Sequence, residues 1–400
     1  MQTYKLINHI VSDIISESLN SDFIHFRFID NIRFNHSEYQ LFLQNGYKYP
    51  RRLAGELMPS PEWTEDFVKL EDGCYAAAYI MPDHNTQSMA TGTSFLYHNN
   101  KWKDIFSIDK MAKIPRPKKT PVFIEHQWEP INFNLDKIFW QGVEFYQHNL
   151  QSQHFVLHSE RNSSDISILN NMGIKDVHWF AHAYLCSEFY YKDYPKLKMV
   201  TDYKSRPIKY PWLCANRLLR DYRIEFLHCI DYTKGTYSLL EQDATGKKLW
   251  GSVPPLSFDD HGNHSAEICV DDLTPWNTSF LHCVMETIWQ EKIHFSEKIF
   301  KPIVLHQPFV LLQAPGSLEY LRSYGFKTFG DWWDESYDSI EDPKERMNAI
   351  AKIVDWITTQ DLYKMREEMS GVLEHNFRHF YENIPDIVLD ELRVNLKSAV

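Results

Sequence analysis

Three short apolar runs in the second half of the chain constrain its fold most: WLCAN (212–216), SFLHCVME (279–286) and PFVLLQA (308–314). Each is too short to be a helix with one buried face, and polar or proline-containing sequence bounds it. Each therefore reads as a buried strand. Helical spacing fills the intervals. After the first run, Leu219, Tyr222, Phe226, Cys229 and Ile230 recur along one face. Before the third, FSEKIFKPIVLHQ (295–307) reads as a short helix, with Ser296 as its N-cap and Pro302 forcing a kink or an early end. GSLEYLRSYGF reads as a helix closed by Gly325, and KTF (327–329) begins a further extended piece. TYSLLEQ (236–242) is strand-like and DDHGNHSAE (259–267) is a loop. Strands alternating with short helices predict an α/β domain with a mostly parallel sheet.

The first half is less regular. CYAAAYIM (74–81), TPVFIEHQW (120–128) and HFVLHSE (154–160) read as strands, and VHWFAHAYL (177–185) as another. The segment MQTYKLINHIVSDIISESLN reads as an amphipathic helix, because acids interrupt its apolar part and no basic leader precedes it. From Asp342 onward the pattern is helical. Met347, Ile350, Ile353, Val354 and Ile357 form one apolar face, and Leu362, Met365, Met369, Val372 and Leu373 another, both expected in the core. At 400 residues the chain exceeds what a single core usually covers, which predicts two domains.

Composition narrows the function classes. A net charge of −12 excludes a surface that is basic throughout, although a local basic groove at KIPRPKKTP (113–121) is compatible with it. The six cysteines (74, 186, 214, 229, 269 and 283) are widely spaced within apolar stretches, as buried thiols of a reducing compartment would be. No apolar run reaches the roughly 20 residues of a membrane span. These features point to a soluble cytoplasmic protein.

Ligands of open α/β sheets collect beyond the carboxyl ends of the strands. Three segments would deliver polar groups there. ANRLLRDYR (215–223) leaves a strand for a helix and carries Arg217, Arg220 and Arg223 every three residues. Arginine forks suit phosphate, and an exposed basic helix face is the plain alternative. Glu286 and Thr287 follow the second apolar run, where Thr287 would equally serve as a cap. In Ser296-Glu297-Lys298 the glutamate is explained by the helix dipole, whereas a lysine at that end calls for a nearby anion. Glycine-rich nucleotide loops, a nucleophile elbow and a His-Glu-x-x-His zinc motif are all absent. DDHGNH (259–264) needs no metal to serve as a polar turn, and no Asp-x-Asp triplet occurs. No metal or other cofactor is expected.

SEKIFKPIVLHQPFVLLQAPGSLEYLRSYGFKTF, with DWWDESYD (331–338), Arg346 and the upstream ANRLLRDYR, resembles the donor-binding region of fucosyltransferase-like glycosyltransferases with the GT-B fold. The resemblance is closest to members from large bacteriophages and other viruses. FVLHSE (155–160) and HWFAHAYL (178–185) are similar to the family's weaker upstream pieces. The strong match covers roughly residues 210–350, and nothing in 1–150 aligns.

The resemblance implies two Rossmann-like domains with a cleft between them and a helical C-terminal tail. The expected bounds are 1–205 for an acceptor-side domain, 206–345 for a donor-binding domain and 346–400 for the closing helices. It also implies transfer of a sugar from a nucleotide-sugar donor to an acceptor hydroxyl, without a metal. Glu297 would bond the ribose, and Arg217 and Lys298 would neutralise the diphosphate. Arg220, Arg223, Glu286 and Ser296 would complete the donor site. A general base would come from the N-terminal half, where Glu125, His126, His158 and Glu160 are the candidates. A retaining mechanism would need no strong base. The acceptor would be a glycan, a small molecule or a hydroxymethylated base in DNA, in the host cytoplasm if the source is viral. Two other classes fit the same residues: a non-catalytic nucleotide- or sugar-binding protein of this fold, and a nucleotide-sugar epimerase or hydrolase.

Overall fold

The apolar runs of the two halves build two separate sheets. The structure, a computed structural model, describes residues 3–19, 23–29, 75–80, 93–98, 101–104, 121–126, 130–134, 140, 143–144, 147–148, 151–216, 220–238 and 273–400. Met1–Ser159, Ser163–Ala181 and Leu389–Val400 form one compact unit, and Glu160–Asn162 with His182–Val388 form the other. Helix Ile384–Ala399 is thereby shared, contributing to the second unit up to Val388 and to the first from Leu389.

The first unit contains β1 (Ile24–Ile29), β2 (Tyr75–Ile80), β3 (Thr93–His98), β4 (Lys101–Asp104), β5 (Val122–Glu125) and β6 (His154–His158). After β7 (Glu160–Arg161), which belongs to the other unit, β8 (Lys175–His178) completes the sheet. The strand order is β4-β3-β2-β1-β5-β6-β8. The five strands from β2 to β8 run parallel, and β3 and β4 are antiparallel additions at one edge. Phe123 stacks on Phe155 at 4.6 Å and meets Phe23 edge-on at 6.0 Å. Helix Thr3–Ser18 buries Val11, Ile14 and Ile15, the i, i+3, i+4 stripe of an amphipathic helix.

The second unit holds β9 (Tyr210–Cys214), β10 (Thr236–Tyr237), β11 (Ser279–Met285), β12 (Ile293–His294) and β13 (Phe309–Leu312). Four strands form a parallel sheet in the order β10-β9-β11-β13, and β12 pairs antiparallel with β7 in a two-stranded ribbon. β11 is buried along its whole length, as a central parallel strand must be. Helix Asp221–Cys229 connects β9 towards β10, and helix Glu297–Val304 connects β11 to β13. The latter stops two residues after Pro302, the early end expected of a proline inside a helix. Helices Pro343–Ile357, Leu362–Glu368 and Ser370–Glu382 follow. The first of the two predicted stripes is buried throughout. In the second, Met365, Met369 and Leu373 are buried, while Leu362 and Val372 are half-buried.

Two segments depart from expectation. VHWFAHAYL is not one strand: β8 ends at His178, and Ala181–Leu185 is a helical turn that runs into a π-helical segment, Cys186–Tyr190. Residues 179–186 are all buried, so no polar side remains to reveal the period. KTF joins no sheet. The Asn376 side chain accepts from Lys327 N–H and donates to Lys327 C=O, both at 2.8 Å, and so stands in for a neighbouring strand. Of TYSLLEQ, Thr236–Tyr237 forms β10, and 239–242 lie outside the described residues. Cys186, Cys214 and Cys283 are buried free thiols and Cys229 is a half-buried one. Among the described residues no helix is long and apolar enough to cross a membrane.

Candidate functional site

In the second unit the chain leaves β9 towards β10 at one edge, and leaves β11 towards β13 at the other. The strand order therefore reverses between β9 and β11, and beyond their carboxyl ends lies the place where such sheets bind ligands. Asn216 follows β9 there and Glu286 follows β11. Arg217 lies outside the described residues.

Glu286 is fully buried and holds the start of the Ser-Glu-Lys helix. It accepts the Ser296 N–H at 3.2 Å and the Ser296 hydroxyl at 2.5 Å. Ser296 is the N-cap, its Oγ accepting from Lys298 N–H at 3.4 Å. The Lys298 ammonium reaches both Ser296 Oγ and Glu297 Oε1 at 3.0 Å. The anion that the sequence calls for beside Lys298 is thus within the protein, as Glu297 in contact and Glu286 one hydroxyl away. The pair stays accessible, with Lys298 17 % and Glu297 15 % exposed. Burial pushes the Glu286 carboxyl upward, against the pull of Lys298 and Ser296 and with a further push from Glu297. Burial also acts on Glu297, but Lys298, His182 and two hydrogen bonds outweigh it and hold the carboxyl at about 2. Glu297 is thereby held ionised at physiological pH.

Residues not singled out in the sequence surround this network. His182 acts on Glu297 and meets His294 edge-on at 5.2 Å. Cys186, at the head of the π-helical segment, is within electrostatic reach of Glu297, Glu286 and Lys298. Its thiol is buried and pushed well above its ordinary range, which makes it unreactive. The Tyr191 hydroxyl donates to the Glu297 carbonyl at 2.9 Å. A π-helical turn in this position was the one signal available, and π-bulges concentrate at functional sites. The unbroken burial around it concealed that turn from a pattern reading.

The arginine run divides in role. Arg223 is 3 % exposed and fastens helix Asp221–Cys229 to the end of β11, donating to the carbonyls of Met285 and Glu286 at 3.2 and 3.3 Å. The Tyr222 hydroxyl donates to the same Glu286 carbonyl. Arg220 is the half-buried, extended residue preceding that helix. Tyr222 stacks on Trp289 at 5.9 Å, and the Arg346 guanidinium lies 4.3 Å over the other ring of the pair. Arg346 also donates to the carbonyls of Ile340, Glu341 and Trp289, so it braces the loop after β11. The acidic stretch 331–338 is used internally as well. Asp338 accepts the N–H groups of Leu318 and Glu319, in the first turn of helix Ser317–Ser323, at 2.9 and 3.0 Å. Glu335 binds Phe329 N–H, Thr328 and Arg322.

The four general-base candidates have different surroundings. In the first sheet the order reverses between β1 and β5, and Glu125 and His126 stand at the carboxyl end of β5, both buried. His158 ends β6, and its Nε2 lies 3.3 Å from Asp176 on β8. Its ring meets His178 edge-on at 5.4 Å, and His178 Nδ1 is 3.2 Å from Glu391. Glu160 is committed to a buried ion pair with Lys292. Among the described residues no group of three or more His, Cys, Asp or Glu side chains is arranged to hold a metal ion. The DDHGNH loop and residues 113–120 of the basic cluster lie outside the described residues.

No protein-family model, curated protein or solved structure matches this chain.

Proposed function

We propose that the protein is a nucleotide-sugar-dependent glycosyltransferase with two Rossmann-like domains of the GT-B type. The donor would bind at the carboxyl ends of β9 and β11. One observation carries the reading: at the reversal of strand order, a fully buried Glu286 orients Ser296, and thereby the partly exposed Glu297 and Lys298. A carboxylate accepts paired ribose hydroxyls, and an ammonium attracts phosphate. Breaking the bond between the sugar and the diphosphate gathers negative charge on the leaving group. Lys298 stabilises that charge more in the transition state than in the ground state, with Arg217 and Arg220, which follow the WLCAN run in the sequence, as its expected partners. Glu125 and His126, at the corresponding reversal of the first sheet, are the preferred general bases, with the His158–Asp176 pair next. The acceptor is a hydroxyl of a glycan, a small molecule or a modified DNA base.

The test is a thermal-shift panel of UDP, GDP, CMP and their sugars on the full chain, followed by product analysis. Stabilisation by one family of nucleotides that is lost in Lys298→Ala supports the reading. A panel with no stabilising member rejects it. A second reading, a binding protein without turnover, draws on the 3.0 Å contact by which Glu297 already matches the Lys298 charge. It predicts nucleotide binding with no nucleoside diphosphate released in the presence of any acceptor.

A further inference from the structure

The carboxylate already seated at the start of helix Glu297–Val304 sets a condition on any second anion that arrives there. This inference rests on the donor-binding reading and deepens it. Glu286 has no solvent exposure and occupies the Ser296 N–H and hydroxyl, groups that a phosphate at a helix start would use. The charged and titratable groups facing it are Lys298 and Glu297 from the helix and Cys186 from the π-helical segment. The Tyr222 hydroxyl and Arg223 guanidinium face its main-chain carbonyl, and His182 acts on it through Glu297. Both carboxylates thus face the Lys298 ammonium, Glu297 in contact and Glu286 through the Ser296 hydroxyl. A diphosphate touching Lys298 brings further negative charge into the same poorly hydrated place, where like charges cannot all remain ionised.

We propose that Glu286 takes up a proton from solvent when the donor diphosphate binds. The neutral carboxyl then donates from Oε2 to Ser296 Oγ in place of the Lys298 ammonium, which turns to the diphosphate. That reverses the present hydrogen bond and turns the serine hydroxyl proton towards the phosphate. Glu297 is not the group that changes, because Lys298 is in direct contact with it. Burial, which opposes ionisation, already weighs on Glu286. The sign follows from linkage. The bound form carries one more proton than the free form, so affinity rises as pH falls, by up to about tenfold per pH unit while Glu286 is ionised in the free protein.

The experiment is isothermal titration calorimetry of the full chain with UDP-glucose and with GDP-mannose at pH 7.5, in HEPES and in Tris buffer. Neither diphosphate diester titrates near this pH, so neither supplies protons itself. The expected result is a difference in binding enthalpy between the buffers equal to uptake of about one proton. Glu286→Gln is expected to abolish that difference and to flatten the dependence of affinity on pH between 6.5 and 8.5. Should that variant fail to fold, the affinity of the parent protein must itself rise as pH falls from 8.5 to 6.5. Binding with equal enthalpies in both buffers overturns the proton coupling and leaves the donor site standing. So does uptake that persists in Glu286→Gln, or a parent affinity that stays flat between pH 6.5 and 8.5. If neither sugar nucleotide binds, the donor reading itself falls and the coupling falls with it.

Discussion

Lys292 and Glu160 form an ion pair with almost no solvent contact. The ammonium lies 3.1 and 3.2 Å from the two carboxylate oxygens, and the side chains are 4 % and 0 % exposed. The pair joins the two strands of the β7–β12 ribbon, where His294 is registered against Glu160. Desolvating two charges is costly, and removing one partner leaves the other buried without compensation. Lys292→Met should therefore cost about 3–5 kcal/mol in urea-induced unfolding, and Glu160→Gln/Lys292→Met together should recover most of it. A double variant as unstable as Lys292→Met would show that packing, not the uncompensated charge, sets the loss.

Asp176 couples the first unit to pH. Its carboxyl is held at about 2, chiefly by the His158 hydrogen bond, with Asn170 adding a second at 2.9 Å against the opposing effect of burial. A depressed carboxyl contributes stability above its unfolded pKa and loses it as pH falls towards the folded value. The side chain is 38 % exposed, so solvent screening limits the contribution to about 1 kcal/mol or less. Asp176→Asn should be less stable than the parent at pH 6, with the gap closing between pH 4 and pH 2. Thermal unfolding across that range measures it. A gap that persists at pH 2 would assign the loss to packing.

Elements whose burial alternates with exposure, or whose apolar runs are bounded by breakers, were legible in the sequence. β9, β11 and β13, helix Glu297–Val304 with its Ser296 cap, and the first tail stripe are examples. Sheet order was not legible, since it depends on pairing between distant strands, and the reversal point that gives Glu286 and Glu125 their meaning depends on that order. Spacing placed Arg220 and Arg223 on one helix, whereas Arg220 is the extended residue before it, and spacing carried no information on partners. Arg223 finds main-chain carbonyls 62 and 63 residues away. For the same reason Glu160 and His158, two positions apart in the sequence, could not be told apart as candidates. One meets Lys292, 132 residues further on, and the other meets Asp176. Lys298 was correctly singled out as needing an anion, and the nearest one proved to be its own neighbour.

Gly235 lies immediately before β10 and against the fully buried indole of Trp212. A β-carbon there would come within 2.2–2.5 Å of three ring atoms. The ring is enclosed by the sheet, so it has little room to yield. Gly235→Ala should cost about 1–3 kcal/mol by overpacking and alter the tryptophan fluorescence of the folded state. Unchanged stability and spectrum would mean that Trp212 repacks without strain.

Lys298 and Arg223 are both cations beyond the carboxyl ends of the central strands, yet they should fail in different ways. Arg223 is buried, and its guanidinium bonds hold the helix after β9 to the last turn of chain after β11. Hydrogen bonds from a charged donor contribute about 1.5–3 kcal/mol, and their loss here takes a donor from the Met285 carbonyl while Tyr222 still serves that of Glu286. Arg223→Ala should therefore lower the unfolding free energy of the unliganded protein by about 2 kcal/mol or more. Lys298 and Glu297 are 17 % and 15 % exposed, so water reaches the pair and the loss of Lys298 costs the protein less. It does remove the ammonium in contact with Glu297 at the proposed diphosphate position. Lys298→Ala should thus show the smaller loss of unliganded stability and at least a tenfold loss of nucleotide-sugar affinity. Unfolding curves with and without saturating donor separate the two effects. A Lys298→Ala protein that binds the donor as tightly as the parent would remove Lys298 from the donor site.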